Sequence, residues 1–456
     1  MGNYKKRKLR NECRQNNRAE LDCVEPVGID GDDWMKAEKI LNLFKITSGG
    51  TPSRTKPEYF SNGDIPWVKT GDLGEKYVSE PLEKITQLGL VNSSAKLFPP
   101  KTVLVAMYGA TIGSCSILNF EACTNQACAA FLPNDKVELE YLYYFLRSIK
   151  QQLVALGQGG GQPNISATLL KSLEIPLPPL DDQIRIAHLL SKVEGMIARR
   201  KQHLQQLDAL LKSIFLDMFG DTVRNSKQHK ISVLGSFITH LTSGGRGWAK
   251  YYSETGKRFI RSLDVQMNAI GKDDIVYVTP PENKETDRTR VKPGDVLLTI
   301  TGSKIGRVCF VPSGFEEAYI SQHVAIIRTQ GINAVFLSYY LSMPSCGQRI
   351  INKEQYGQAK PGLNLSQINN FSILEPELDL QNHFEVIVEK VEDIKSRYKQ
   401  SLTDLKNLYG ALSQKAFKGE LDLSRVPLDH CSKEHSEREV DCRQEHLGEK
   451  RLSYSV

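Results

Sequence analysis

In this chain of 456 residues, the side chains able to do chemistry sit in short loops between strand-like segments, and they do so twice. The first half offers Thr51, Ser53, Arg54, Lys69, Thr70, Tyr108, Thr111, Gln126, Gln162 and Asn164. The second offers Arg246, Lys250, Arg258, Arg261, Ser262, Thr301, Lys304, Gln322, Gln358, Lys360 and Asn364. Across a DNA major groove, Arg or Lys pairs with guanine and Asn or Gln with adenine, each good pair discriminating by roughly 1–3 kcal/mol. Other cations in such a set contact phosphate and supply salt-dependent affinity that carries no sequence information. Taken singly, each side chain reads first as a solvated loop residue. As a set they point to nucleic-acid recognition, because matched positions keep a polar group while its identity changes. Lys69-Thr70 against Arg261-Ser262 keeps the chemistry; Pro52-Ser53-Arg54 against Arg246-Gly247-Trp248 changes it.

Motifs of catalysis are missing. The run Gly302-Ser303-Lys304-Ile305-Gly306 is too short for a phosphate loop and lacks its Lys-Ser/Thr pair. Gly109-Ala110-Thr111-Ile112-Gly113 holds the matching place in the first half, so both read as turns between strands. There is no G-x-S-x-G elbow, no H-E-x-x-H helix and no Asn/Asp-Pro-Pro-Tyr/Phe motif of the kind amino-methyltransferases use. A catalytic pair of carboxylates stays open on sequence grounds, although Asp72 and Asp264 occupy equivalent sites in separate domains. Cys431, His435, Cys442 and His446 are zinc-ligand types, but their spacing is unusual and their context polar, so no metal is expected. Cys115, Cys123, Cys128 and Cys309 lie in apolar strand-like context and read as buried thiols.

Two long helical patterns position the loops, over 181–219 and about 380–417. In the first, Ile186, Leu190, Val193, Ile197, Leu204, Leu207, Leu211, Ile214 and Met218 alternate spacings of four and three, broken only by Arg200. The second carries Phe384, Ile387, Val391, Ile394, Tyr398, Leu402, Leu405, Tyr409, Leu412 and Ala416, with one slip after Tyr398. Each helix would be roughly 55–60 Å long. Neither can bury such a stripe alone, so the economical solution is that they pack on each other. The rival reading, two long core helices of ordinary domains, is opposed by an internal duplication. Ile46-Thr47-Ser48-Gly49-Gly50 is echoed by Leu241-Thr242-Ser243-Gly244-Gly245, Trp67-Val68-Lys69-Thr70 by Phe259-Ile260-Arg261-Ser262, Asn164-Ile165-Ser166 by Asn364-Leu365-Ser366, and Gln183 by Gln381. Two copies of so long a period form tandem domains, not a solenoid.

The fold expected is α+β: two strand-rich domains, each followed by a long helix, with the helices packed as an antiparallel coiled coil of pseudo-two-fold symmetry. A polar leader at 1–33 and a polar tail at 421–456 flank a first domain (34–180), a first helix (181–220), a second domain (221–379) and a second helix (380–420). Strands are predicted at 65–69, 102–107, 114–118 and 127–132, a helix at 139–156, a Ser166-capped short helix, and Asp181 or Asp182 as cap of the first long helix. No apolar run approaches eighteen residues, and the amino terminus carries no hydrophobic signal core, so a cytoplasmic protein with no membrane partner is expected. The net charge of +6 fits an anionic partner only weakly.

Over about 34–420 the residues resemble the specificity subunits of type I restriction-modification systems. The resemblance rests on Ser48-Gly49-Gly50-Thr51-Pro52-Ser53, the Gly63 to Leu73 run through Trp67-Val68-Lys69-Thr70-Gly71-Asp72, Gly109 with Thr111-Ile112-Gly113, Ile175-Pro176-Leu177-Pro178-Pro179 leading to Gln183, and Lys415-Ala416-Phe417-Lys418-Gly419-Glu420-Leu421. It implies that each globular segment is a target-recognition domain reading half of a bipartite double-stranded DNA site, with the helices as spacer. It further implies two modification subunits that use S-adenosylmethionine, and restriction subunits driven by ATP and Mg²⁺, with no cofactor and no catalysis in this chain. The rival readings are a recognition module of another defence or modification complex, an enzyme acting alone on nucleic acid, and a coiled-coil assembly protein.

Overall fold

The computed structural model describes residues 36–157, 164–355 and 362–428. The leader expected at 1–33, Gln162, Gln358, Lys360 and the four Cys/His residues of the tail lie outside the described residues. The chain divides into two compact units, Met1–Ala198 with Thr403–Val456, and Arg199–Leu402. Among the described residues, no helix is long and apolar enough to cross a membrane.

In the first unit, short runs of small and β-branched residues build two four-stranded sheets. One is antiparallel, in the order Ile46–Ser48, Cys128–Phe131, Val103–Ala106, Cys115–Ile117. Its central strands are buried on both faces, and their near-continuous apolar runs are what such a position demands. The other runs Lys84–Ile85, Ile65–Val68, Ala122–Thr124, Leu97–Phe98, with a parallel central pair. A two-stranded ribbon of Lys36–Lys39 and Glu174–Leu177 closes the domain. The aromatic helix Leu139–Ser148 buries Tyr141 to Leu146 against the antiparallel sheet. The single helix predicted at 139–156 is two: the chain breaks at Ile149, which leaves helical geometry at ψ 8° before Lys150–Leu156 begins. Burial pushes the thiols of Cys115 and Cys128 up to about 12, so neither is a ready nucleophile.

The second unit repeats the frame. Its antiparallel sheet runs Ile238–Ser243, Val324–Thr329, Val296–Thr299, Val308–Phe310. Its second sheet again contains a parallel pair, Lys257–Ile260 beside Ala318–Ile320, and its ribbon pairs Lys230–Val233 with Ser372–Glu375. A hairpin of Val265–Gln266 and Ala269–Ile270 is an addition to the plan.

Both long helices form, over Leu180–Phe219 and Leu378–Lys418. Asp181 and Asp182 do not cap the first. The helix begins before them, the Pro179 carbonyl accepts from the backbone N–H of Asp182 and Gln183, and both carboxylates sit in the first turn, where the helix dipole favours them. In the first unit, Ile186, Leu190 and Val193 are buried, and Ala416 and Phe417 of the second helix join Ile186 and Leu190 in one core. Tyr409 and Leu412 flank that core half-buried. In the second unit, Leu211, Val391 and the Phe384 ring share a core with the domain, while Leu207 and Ile214 pack at its edge. Arg200 and His203 face Tyr398 while Asp208 pairs with Lys395, so the two helical segments of this unit run antiparallel. Ile197, Leu204 and Leu402 are half-buried and Leu405 is buried.

Ile394, expected in the seam, is 40% exposed. Val391 is buried as expected, and Val388 is buried in place of Ile394, with the aliphatic stem of Lys395 largely covered. At the end of the first helix the burial likewise rotates onto Phe215 and Phe219, whose rings pack on Phe336 and Phe384. The helix ends thus serve the domain cores, and a straight 3.6-residue helix drifts off a strict heptad stripe to do so.

Candidate nucleic-acid interface

In each domain the loops that bear the candidate side chains leave the same end of the sheets. In the first domain they follow Ile46–Ser48, Ile65–Val68, Val103–Ala106 and Ala122–Thr124, and hydrogen bonds tie them together. Gly50 N–H donates to the Thr124 carbonyl at 2.9 Å, the Thr111 hydroxyl to the Thr70 carbonyl at 2.8 Å, and the Thr51 hydroxyl to the Gln126 side-chain oxygen at 2.5 Å. Gly49 is required there, since a Cβ would lie 2.0 Å from the Thr124 carbonyl oxygen. Gln126 and Ser53 are exposed, Ser53 bonding to the Thr55 hydroxyl, and Tyr108 is half-buried and bridged through its backbone to Asn164.

Arg54 and Lys69 converge on Glu83. Lys69 first, and Arg54 behind it, hold the Glu83 carboxyl below the usual carboxylate range. The Arg54 guanidinium also lies 4.5 Å from the Phe60 ring centroid and 5.0 Å from that of Trp67. Arg54 is thereby oriented by two rings and a carboxylate while its side chain stays 54% exposed. In the second domain the same place is held by Trp248, whose ring stacks 5.2 Å from Phe259, the counterpart of Trp67. Trp248 is buried and donates its indole N–H to Glu285. The change of residue between the domains therefore turns a presented cation into core.

Asp72 and Asp264 have a structural role. Each accepts the backbone N–H three residues before it, from Lys69 at 2.8 Å and from Arg261 at 2.7 Å, and so fixes the turn that presents residues 69–72 and 261–264. Arg261 also donates to both Asp264 oxygens and to Asp274, with Ser262 half-buried beside it. The neighbouring loop 300–307 carries Thr301 and half-buried Lys304. Thr301 shares a hydrogen bond with His323 Nδ1, and exposed Gln322 lies 3.2 Å from His323 Nε2. An amide N–H donated to Nε2 requires the proton on Nδ1, pointing at the threonine oxygen. Arg246 and Lys250 are exposed, Lys250 with its ammonium 4.8 Å from the Tyr251 ring.

Two expected members have structural roles. Arg258 is buried, paired with Glu316, bonded to the Gly271 carbonyl and 5.2 Å from the Phe315 ring, so it holds the domain together. Asn364 is the N-cap of Leu365–Asn369, with a capping box to Gln367. Its structural counterpart is Ser166, N-cap of Ala167–Ser172, and not Asn164. Asn164 corresponds to Gly362, since each bridges the loop after its central strand, to Tyr108 and to Thr301. The Asn-Ile-Ser and Asn-Leu-Ser echo is thus two residues out of register. His323, Arg307 and the added hairpin are the members that sequence reasoning missed. Position beside Gln322 was the one available signal for His323; the hairpin has no counterpart in the first half to mark it.

The arrangement presents amide, hydroxyl, imidazole and guanidinium groups on rigid turns, which suits hydrogen bonding to base edges and phosphates. Among the described residues no cluster of His, Cys, Asp and Glu is placed to hold a metal ion.

Residues 32–209 match the family model of the type I restriction modification DNA specificity domain. Over 418 residues the chain is 26% identical to the specificity subunit of the type I restriction enzyme MjaIX of Methanocaldococcus jannaschii, covering 86% of this chain and 95% of that protein. It is 23% identical over 390 residues to the EcoKI specificity subunit of Escherichia coli K12, covering 80% and 84%. In fold it resembles the crystal structure of a type I restriction-modification S subunit from M. genitalium, with a TM-score of 0.54 at 16% identity, covering 86% of this chain and 99% of that one.

Proposed function

We propose that the chain is a specificity subunit of the type I restriction-modification kind it resembles, and so the DNA sequence-recognition subunit of such a complex. Each domain reads one half of a bipartite site in double-stranded DNA through the loop end described above. The two long helices set the spacer and dock two methyltransferase subunits. Catalysis, S-adenosylmethionine, ATP and Mg²⁺ belong to those subunits and to the restriction subunits that join them in the cytoplasm; this chain is not itself an enzyme. DNA contact falls to Thr51, Ser53, Arg54, Lys69, Thr70, Tyr108, Thr111, Gln126 and Asn164 in the first domain, and to Arg246, Lys250, Arg261, Ser262, Thr301, Lys304 and Gln322 in the second.

One observation carries the reading. The same sheet frame is built twice with the turns at Asp72 and Asp264 fixed in the same way, yet the first domain presents Arg54 where the second buries Trp248. A frame held constant while its polar tips vary is what two readers of different sequences require. The test is co-expression with a type I methyltransferase subunit from the same host. The reading expects adenine methylation of one bipartite sequence that needs this chain, and no methylation or cleavage by the chain alone with S-adenosylmethionine, ATP and Mg²⁺. Activity of the isolated chain would contradict it.

A further inference from the structure

The turn fixed by Asp72 in the first domain and by Asp264 in the second differs at one exposed position. Gly71 lies between Thr70 and Asp72, and a Cβ there would meet nothing within 4 Å. The same place in the second domain is Leu263, 55% exposed. An isolated exposed leucine needs no explanation, but the backbone that carries this one is fixed on both sides. The Arg261 N–H and guanidinium are bound to Asp264 on one side of it, and its own carbonyl accepts from Gln266 at 2.7 Å.

The hairpin that follows is equally fixed. Asn268 takes φ 57° at its turn, donates its N–H to the Val308 carbonyl at 2.8 Å, and is bonded through its side chain to Ser338 and Ser342. Gln266 accepts from Arg307 at 2.9 Å, which joins the hairpin to the loop bearing Thr301 and Lys304. Met267, 46% exposed, stands at the tip. An apolar side chain is therefore presented on a rigid turn, among cations and amides, at the end of the domain assigned to DNA. The apolar group that a major groove offers is the 5-methyl of thymine, which is recognised by apolar contact.

We propose that Leu263 is a specificity-determining residue of the second domain, which packs on a thymine 5-methyl group in its half-site. The first domain, with Gly71, has no such contact from this turn. The inference rests on the DNA-recognition reading and extends it to one base.

The test uses the full chain in its purified methyltransferase complex and a duplex carrying the site found by methylation mapping. Each thymine is replaced in turn by deoxyuridine, which lacks only the methyl group. For the natural chain, one replacement weakens binding about fourfold, the size of one buried methyl-sized group. Leu263→Ser binds the thymine and uracil duplexes equally, and Leu263→Val, still apolar, keeps the discrimination. Leu263→Ser retaining the full discrimination, no thymine responding, or a site without thymine would overturn the inference. Failure of the recognition reading is seen separately, as equal binding of unrelated duplexes before any uracil is introduced.

Discussion

The guanidinium of Arg200 lies 4.2 Å from the ring centroid of Tyr398, so the one polar break in the first helical stripe meets the aromatic residue at which the second stripe slips. His203 lies against the same ring at 5.8 Å, and Lys395 pairs with Asp208 and Glu392 nearby. Polar residues in a heptad seam specify register at a cost in stability. A double-mutant cycle of Arg200→Leu and Tyr398→Leu, followed by chemical denaturation, should give a coupling of about 0.5–2 kcal/mol, as for a partly desolvated cation–π pair. Additive single effects would mean that the two side chains are mere neighbours.

Gln183 and Gln381 play one part in the two domains. Gln183 accepts from the Glu138 N–H and donates to the carbonyls of Lys136 and Pro178; Gln381 accepts from the Asn333 N–H and donates to that of Pro376. Each side chain locks the start of a long helix to the start of its own domain's aromatic helix, Leu139–Ser148 or Ala334–Ser342. Gln183→Ala or Gln381→Ala leaves buried groups unpaired and should cost about 2–4 kcal/mol of unfolding free energy. A loss below half a kcal/mol at either site would show that water replaces the lock.

The cap of the aromatic helix differs between domains and gives a pH dependence to only one. Glu138 caps Leu139–Ser148, and burial pushes its carboxyl from 4.5 up to about 7, opposed by the N–H groups of Tyr141 and Glu140. The folded state then holds the proton more tightly than the unfolded one. Its contribution is most favourable below about pH 4.5 and is lost as pH rises to about 7. Asn333, uncharged, caps the equivalent helix. In thermal melts, Glu138→Asn should flatten the decline of Tm across this window, whereas an unchanged slope would exclude Glu138 as its source.

The frame was legible in the sequence because its signals are periodic. Ile186, Leu190, Val193, Leu211 and Val391 recur at helical spacing and are buried. The duplication was legible because the same turns recur in the same order. Register inside loops was not, since Asn164 and Asn364 look alike yet one bridges a strand and the other caps a helix. Nor was the rotation of the seam from Ile394 to Val388, which follows from what the domain packs against the helix and not from the helix itself. Arg258 shows the same limit for the site, because an arginine reads as a surface cation until its partners are known.

Arg258 supplies a control for the interface. Arg258→Ala removes a buried, hydrogen-bonded cation and should lower stability by about 1–3 kcal/mol while leaving the methylated sequence unchanged. A changed half-site in that variant, measured by methylation mapping, would place Arg258 against DNA after all.

The most direct test of the division of labour exchanges loop residues in the first domain alone. Thr111→Ala with Gln126→Ala, expressed with the methyltransferase subunits, should relax or shift one half of the bipartite sequence mapped in the host genome, with the other half and the spacer unaltered. Change in both halves, or in the spacer alone, would contradict the account.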